Sequence, residues 1–243
     1  MYRLFPFAAR TSARSTRSQR SRSRPIQLEP LEGRALLTGG YVQTDIIADQ
    51  PGVAAHTDAN LVNPWGISFG SGEPLWFADN GTGVSTVDDA SGVPDPANPP
   101  LVVRIPSVVA GAPSLPTGTV FNGSSGFQVS SGAQAAPALF LFDTLQGTIA
   151  GWSPSVSAKA AVLAVNHSAS GAVYTGLALG SNSSGEFLYA ANFGNGTVDV
   201  FNTSFQQVTP SGRFSDPSLP AGYVPFNVQN LGGNLFVTYA TQD

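Results

Sequence analysis

"NPWGISFGSGEPLWFADNGTGVSTVD" (Asn63–Asp88) and "YTGLALGSNSSGEFLYAANFGNGTVDVFN" (Tyr174–Asn202) are two versions of one sentence within a single chain. Each opens with a glycine leading an alternating apolar segment, Gly66-Ile67-Ser68-Phe69 in one and Gly176-Leu177-Ala178-Leu179 in the other. A Gly/Ser-rich turn follows, then a nearly continuous apolar run that ends on or near a polar residue. That run occurs four times, as Leu75–Asn80, Leu139–Thr144, Phe187–Asn192 and Leu235–Ala240. A glycine turn then leads into a further strand, written "GVSTVD", "GTIAGW" and "GTVDVF" in the first three cases.

The marks Asp79, Asp143, Asn192 and Tyr239 are separated by 64, 49 and 47 residues. The long first step is assigned to the Pro-rich stretch Ser91–Pro116. Periods of roughly 40–50 residues, each holding several strands, are the signature of β-propeller blades. Strands covered on both faces read as apolar runs, not as strict alternation, which is the pattern here. A β-sandwich gives no reason for internal copies, and a β-helix has a much shorter period. The expected fold is therefore all-β, a propeller built of blades of about 47 residues.

Composition agrees. Charged residues make up only 11% of the 243 residues, while 27 glycines and 19 prolines interrupt any long helix. Eight of the eleven basic residues precede residue 40, and beyond it three bases face thirteen acids. An acidic body repels phosphate backbones, so no nucleic-acid partner is expected. The absence of cysteine excludes disulfides, thiolate metal sites and cysteine nucleophiles. No apolar run of about eighteen residues occurs, so no membrane span is expected.

Three regions follow. Residues 1–25 are Arg/Ser-rich and too polar to bury a core, which predicts a disordered tail. Residues 26–40, "IQLEPLEGRALLTGG", resemble the LEPRxLL-type segment of planctomycete exported proteins, through Leu28, Glu29, Pro30, Leu31, Glu32, Arg34, Leu36 and Leu37. That resemblance implies export to the cell envelope or beyond. Residues 41–243 form the propeller, and "YVQTDII" (Tyr41–Ile47) alternates as an outer strand should.

The motifs "NLVNPWGISFG", "ADNGTGVST", "TGTVFNGSSGF", "YAANFGNGTVDVFN" and "LPAGYVPFNVQNLGGNLFVTYATQD" resemble an uncharacterised bacterial family of extracellular propellers related to NHL-type repeats. The resemblance runs from Tyr41 to Asp243 and implies no catalytic residue. Members of that family continue past the last motif. The expectation is thus a truncated version, about three and a half to four blades of a six-bladed ring.

Candidate chemistry is sparse. His56 and His167 are isolated, with no paired metal spacing, and no G-x-S-x-G elbow accompanies the serines. Asp79, Asn80, Asn122, Asp143, Asn192 and Asn227 sit at or near strand ends. Such oxygens could converge on Ca²⁺ at the channel mouth, or could satisfy turn backbone as Asx turns. Asp199 faces opposite to Val198 and Val200, which predicts a blade-edge residue bonded to a neighbouring turn. Trp65, Trp76 and Trp152 are expected at equivalent blade positions, packing between blades and not forming a sugar platform, which needs exposed rings. The favoured function is a non-enzymatic exported propeller presenting a loop-lined face to a protein or glycan. The alternative is a Ca²⁺-dependent lactonase-type hydrolase.

Overall fold

The computed structural model describes residues 42–209, 214 and 216–242. The tail (1–25), the LEPRxLL-like segment (26–40) and Tyr41 lie outside the described residues. The unit Thr44–Asp243 begins with two short strands paired in parallel, β1 (Ile47–Ala48) and β2 (His56–Thr57). The first four-stranded sheet follows in chain order: β3 (Pro64–Ser68), β4 (Leu75–Asp79), β5 (Val84–Asp88) and β6 (Val102–Arg104). The second opens with β7 (Pro116–Phe121), then detours through the hairpin β8 (Gln128–Ser131) and β9 (Gln134–Pro137). It resumes with β10 (Phe140–Thr144), β11 (Thr148–Trp152) and β12 (Val162–Asn166). A single 3₁₀ turn at Ser168–Ser170 leads into the third sheet. That sheet comprises β13 (Tyr174–Asn182), β14 (Gly185–Asn192), β15 (Thr197–Asn202) and β16 (Gln207–Val208). The described chain ends in a two-stranded hairpin, β17 (Tyr223–Leu231) and β18 (Asn234–Thr241).

The four-stranded sheets are antiparallel, and each starts on an innermost strand: β3, β7 and β13. Those strands and β17 lie in a row, each against the next. This is a β-propeller: three four-stranded blades and a two-stranded hairpin around one inner row. The repeated sentence is the blade itself. Leu75–Asp79 and Gly185–Asn192 are both second strands, and "STVD" and "TVDVF" are both third strands. Each turn into the third strand ends on a glycine in the left-handed region, Gly83, Gly147 or Gly196 (φ 74°, 73° and 69°). A side chain is strained in that conformation, so glycine fixes the turn in each copy.

Packing explains why no blade stands alone. Between the first two blades, Trp76, Val87 and Val103 meet Phe140, Phe142 and Trp152, with Trp76 stacked on Phe140 at 4.1 Å. Between the second and third, Phe127, Leu141 and Ile149 meet Tyr174, Leu177 and Leu188. Between the third blade and the hairpin, Ala178, Tyr189 and Val200 meet Val228. Each large apolar side chain so covered is worth about 1.5–3 kcal/mol.

Three expectations need correction. Tyr41–Ile47 does not form a strand over its described residues; only Ile47 is extended, and it pairs with His56. The long first step is not due to Ser91–Pro116 alone. That stretch contains β6, the outer strand of the first blade, and much of the extra length is the β8–β9 hairpin. The three tryptophans do not occupy equivalent places. Trp76 and Trp152 are buried 4.7 Å apart between blades, on a second and a third strand, whereas Trp65 is on an innermost strand and 43% exposed.

Candidate binding groove and the polar turns beside it

Every innermost strand is interrupted at the same level. Register slips once between Pro64 and Gly66, between Pro116 and Thr119, between Tyr174 and Leu177, and between Pro225 and Asn227. These bulges re-aim one side chain per blade: Trp65, Thr117, Thr175 and Phe226. Glycine beside the bulge lets neighbouring inner strands approach. A Cβ on Gly118 would stand 2.6 Å from the Leu177 nitrogen. The two threonines clasp successive blades. Thr117 Oγ1 is 2.7 Å from Asp143 Oδ1 and 2.9 Å from the Tyr174 carbonyl, and Thr175 Oγ1 donates to the Phe226 carbonyl.

The four innermost strands together line a groove of about 430 Å³, with Thr117 and Thr175 on its middle strands and an aromatic ring, Trp65 or Phe226, at the matching place on its outer two. Trp65, Ile67, Ser68 and Phe69 line one side; Asn227, Val228, Gln229 and Asn230 line the other. Phe226 lies 6.4 Å from Trp65 and 5.6 Å from Phe193, ring centre to ring centre. Among the described residues no Asp, Glu, Lys, Arg or His lines this groove. Its chemistry is aromatic, hydroxyl and amide.

Of the six candidate oxygen ligands, Asn227 alone lines this groove. Asp79, Asn80, Asp143 and Asn192 lie at the turns between second and third strands. Asn122 is just beyond the opposite end of its strand, where Oδ1 accepts from Ser124 N at 3.1 Å and Nδ2 donates to the Ala138 carbonyl at 2.8 Å. Asn227 lies beside Gly176, with Oδ1 accepting from Val228 N at 2.7 Å. Asn80 Nδ2 donates to the Pro116 carbonyl at 3.1 Å, tying the first blade to the second. Asn192 Oδ1 accepts from Val173 N and Asn195 N, both at 3.2 Å. Calcium takes about six to eight oxygens around one point. These six residues instead serve backbone groups of their own and adjoining strands, so they do not fit a shared ion. Among the described residues there is no group of three or more His, Cys, Asp or Glu side chains able to hold a metal.

The aspartates at these turns are buried. Asp143 Oδ1 accepts from Thr117 and from Gly118 N, and desolvation pushes its carboxyl up to about 6. Asp79 Oδ2 accepts from Thr86 N at 2.9 Å, while Oδ1 has no partner; desolvation raises it to about 7.

A network not expected from the sequence joins both histidine and tyrosine to Asp199. Tyr174 Oη donates to Asp199 Oδ2 at 2.9 Å and lies 2.8 Å from His167 Nδ1. Asn192 Nδ2 donates to Asp199 Oδ2 at 2.9 Å, and Thr197 Oγ1 to Asp199 Oδ1 at 3.0 Å. Because the tyrosine proton goes to Asp199, Tyr174 Oη accepts from His167, whose Nδ1 carries a hydrogen. Desolvation, then the Asp199 charge, raises the Tyr174 hydroxyl well above its ordinary value. Asp199 is thus a buried network centre and not a blade-edge residue. The available signal was a lone acid inside an apolar strand, seven residues after Asn192.

No family model matches the chain. Among curated proteins it is similar to two uncharacterized proteins of Acanthamoeba polyphaga mimivirus. One is 32% identical over 204 residues, covering 82% of this chain and 48% of the relative; the other is 31% identical over 204 residues, covering 82% and 52%. Among solved structures, a catalytically inactive virginiamycin B lyase from Staphylococcus aureus with quinupristin has a TM-score of 0.47 and 14% identity, over 72% of this chain and 48% of that chain. A streptogramin B lyase has a TM-score of 0.45 and 14% identity, over 72% and 47%. The chain therefore spans about half the length of the curated relatives it matches.

Proposed function

We propose that this chain is an exported propeller module that binds a neutral, sugar-like ligand in the groove between its innermost strands. The observation that carries this reading is the half-exposed Trp65 within a groove that no charged side chain lines among the described residues. An indole face takes the apolar face of a sugar ring, and amides and hydroxyls complement its hydroxyl groups. Phosphorylated or uronic ligands would lose hydration there with no opposite charge to meet them. General acid–base chemistry needs a titratable group within reach of the substrate, and the groove offers none among the described residues. The export assignment is supported by the LEPRxLL-like segment at residues 26–40. Among the described residues no helix is long and apolar enough to cross a membrane.

Tryptophan fluorescence provides the test, because Trp76 and Trp152 are buried and Trp65 is not. Neutral oligosaccharides should shift the emission, and an acidic polymer such as polygalacturonate should not. Trp65→Ala should weaken binding at least about tenfold, the equivalent of about 1.4 kcal/mol. Binding that survives this substitution, or the absence of binding across a neutral glycan panel, would remove the proposal.

A further inference from the structure

The link between the first two blades encloses a second cavity, which shares no lining residue with the groove. Residues 105–115 join β6 to β7, where the shorter stretch 167–173 joins β12 to β13. The longer link is a loop closed at its neck. Ile105 N donates to the Gly83 carbonyl at 3.1 Å, and Ser114 Oγ donates to the same carbonyl at 3.3 Å. One side-chain amide from the second blade then ties both flanks of the loop. Gln146 Oε1 accepts from Val108 N, and Gln146 Nε2 donates to the Pro113 carbonyl, each at 2.9 Å. Pro106 and Pro113 restrict the backbone further. Compact loops with closed ends are frequently functional, and one held in place beforehand loses little freedom on binding.

Between this loop, the turn 81–83 and residues 160–161 lies a pocket of about 660 Å³. That is the size of a small-molecule site. Ile105, Val109, Pro113 and Ala161 give it apolar walls. Its three hydroxyls are already engaged. Thr82 Oγ1 donates to the Asn60 carbonyl at 2.7 Å and Ser114 Oγ to Gly83, while Ser107 Oγ accepts from Gln146 Nε2 at 3.0 Å and donates to the Val109 carbonyl at 2.9 Å. Arg104 is then the lining side chain with donors to spare. Among the described residues no Asp or Glu lines the pocket, and no carboxylate pairs with Arg104. Arg104 N donates to the Lys159 carbonyl and Ala161 N to the Arg104 carbonyl, both at 3.0 Å. Two of the three bases beyond residue 40 are thus neighbours in a body that carries thirteen acids.

We infer that this pocket binds a small organic carboxylate, its acid group on the Arg104 guanidinium and its apolar body against the loop. A guanidinium presents paired N–H donors that match the two oxygens of a carboxylate. A sugar finds no free side-chain hydroxyl or amide here, and a cation meets only like charge.

Isothermal titration calorimetry with phenylacetate and with its neutral amide, phenylacetamide, tests this. The acid should bind, and the amide at least about tenfold more weakly. Arg104→Gln should lower the acid to the level of the amide and leave the amide unchanged. Val109→Ser takes away an apolar wall and should weaken both compounds by a similar factor. Arg104 and Val109 are both exposed, so melting of the two variants should match the parent. Trp65→Ala should leave every one of these titrations as it is, which separates the pocket from the groove. A parent that takes up neither compound, equal binding of acid and amide, or acid binding that survives Arg104→Gln would overturn the inference.

Discussion

The first and third blades share one backbone frame and treat their buried polar groups differently. Asp79 pairs with Pro64 at the start of its inner strand, and Asn192 pairs with Tyr174 at the same place. Each then reaches the residue seven further on. In the third blade an amide meets a carboxylate there, and Tyr174 and Thr197 supply two more donors to Asp199. In the first blade a carboxylate meets Thr86, from whose N–H it accepts at 2.9 Å. Asp79 Oδ1 and both oxygens of Asp88 are buried without partners, and the charge of Asp58 acts on both residues. The frame, fixed by glycine turns and apolar strands, tolerates either arrangement. What differs is the cost of keeping the acids ionised.

That cost makes the largest prediction. Desolvation raises Asp79 to about 7 and Asp88 to about 6, from an ordinary value of 3.8. The folded state then binds more protons than the unfolded chain between those limits, so stability falls as pH rises from about 4 to about 7. Above the folded values the loss is complete and the curve levels. For Asp79 alone, about three pK units correspond to on the order of 4 kcal/mol. Asp79→Asn mimics the protonated side chain and should flatten the slope, with a gain at pH 8 and little change at pH 4.5. Chemical denaturation across this pH range measures it. A parent protein whose stability rises between pH 4.5 and 7 would mean that these carboxylates are paired, and the contrast between the blades would vanish.

The frame was legible in the sequence because it is written in local, repeated terms. The glycine before each third strand, the apolar second strands and the spacing of their ends place the second and third strands with little else. The short outer strands Val102–Arg104, Val162–Asn166 and Gln207–Val208 carry no such repeated mark. The hairpin Gln128–Pro137 was not legible, since "QVSSGAQAAP" has no counterpart in the other blades. The polar site was harder still. Tyr174 and Asp199 belong to different strands, and whether Asn192 caps a turn or bonds Asp199 depends on side-chain directions that spacing does not fix. The exposure of Trp65 was equally hidden. Its place on a bulge follows from pairing register, while its indole looks like ordinary core material in a composition count.

A second prediction uses glycines that hold one place in the two copies. A Cβ on Gly66 would collide with the Thr117 carbonyl and stand 3.0 Å from Thr119 N, both backbone groups of the next blade. A Cβ on Gly176 would meet chiefly the Asn227 side-chain amide, which can rotate away. Overpacking of this kind costs about 1–3 kcal/mol where neighbours cannot move. Gly66→Ala should therefore destabilise by roughly 2 kcal/mol or more, and Gly176→Ala by clearly less, in urea denaturation. Equal losses would show that the hairpin is held as rigidly against the third blade as the second blade is against the first.

The smallest expected effect tests the satisfied side of the comparison. Tyr174→Phe removes one hydroxyl from the Asp199 network and leaves the ring in the core. Asp199 keeps a donor on each oxygen, Asn192 on Oδ2 and Thr197 on Oδ1. His167 loses its partner, but its side chain is 30% exposed and water can replace the bond. With no buried group left bare, the cost should be that of one net hydrogen bond, about 1 kcal/mol. A loss above about 3 kcal/mol would match the penalty for an uncompensated buried charge. Asp199 would then depend on the tyrosine as completely as Asp79 lacks any such donor, and the third blade would be no better provided than the first.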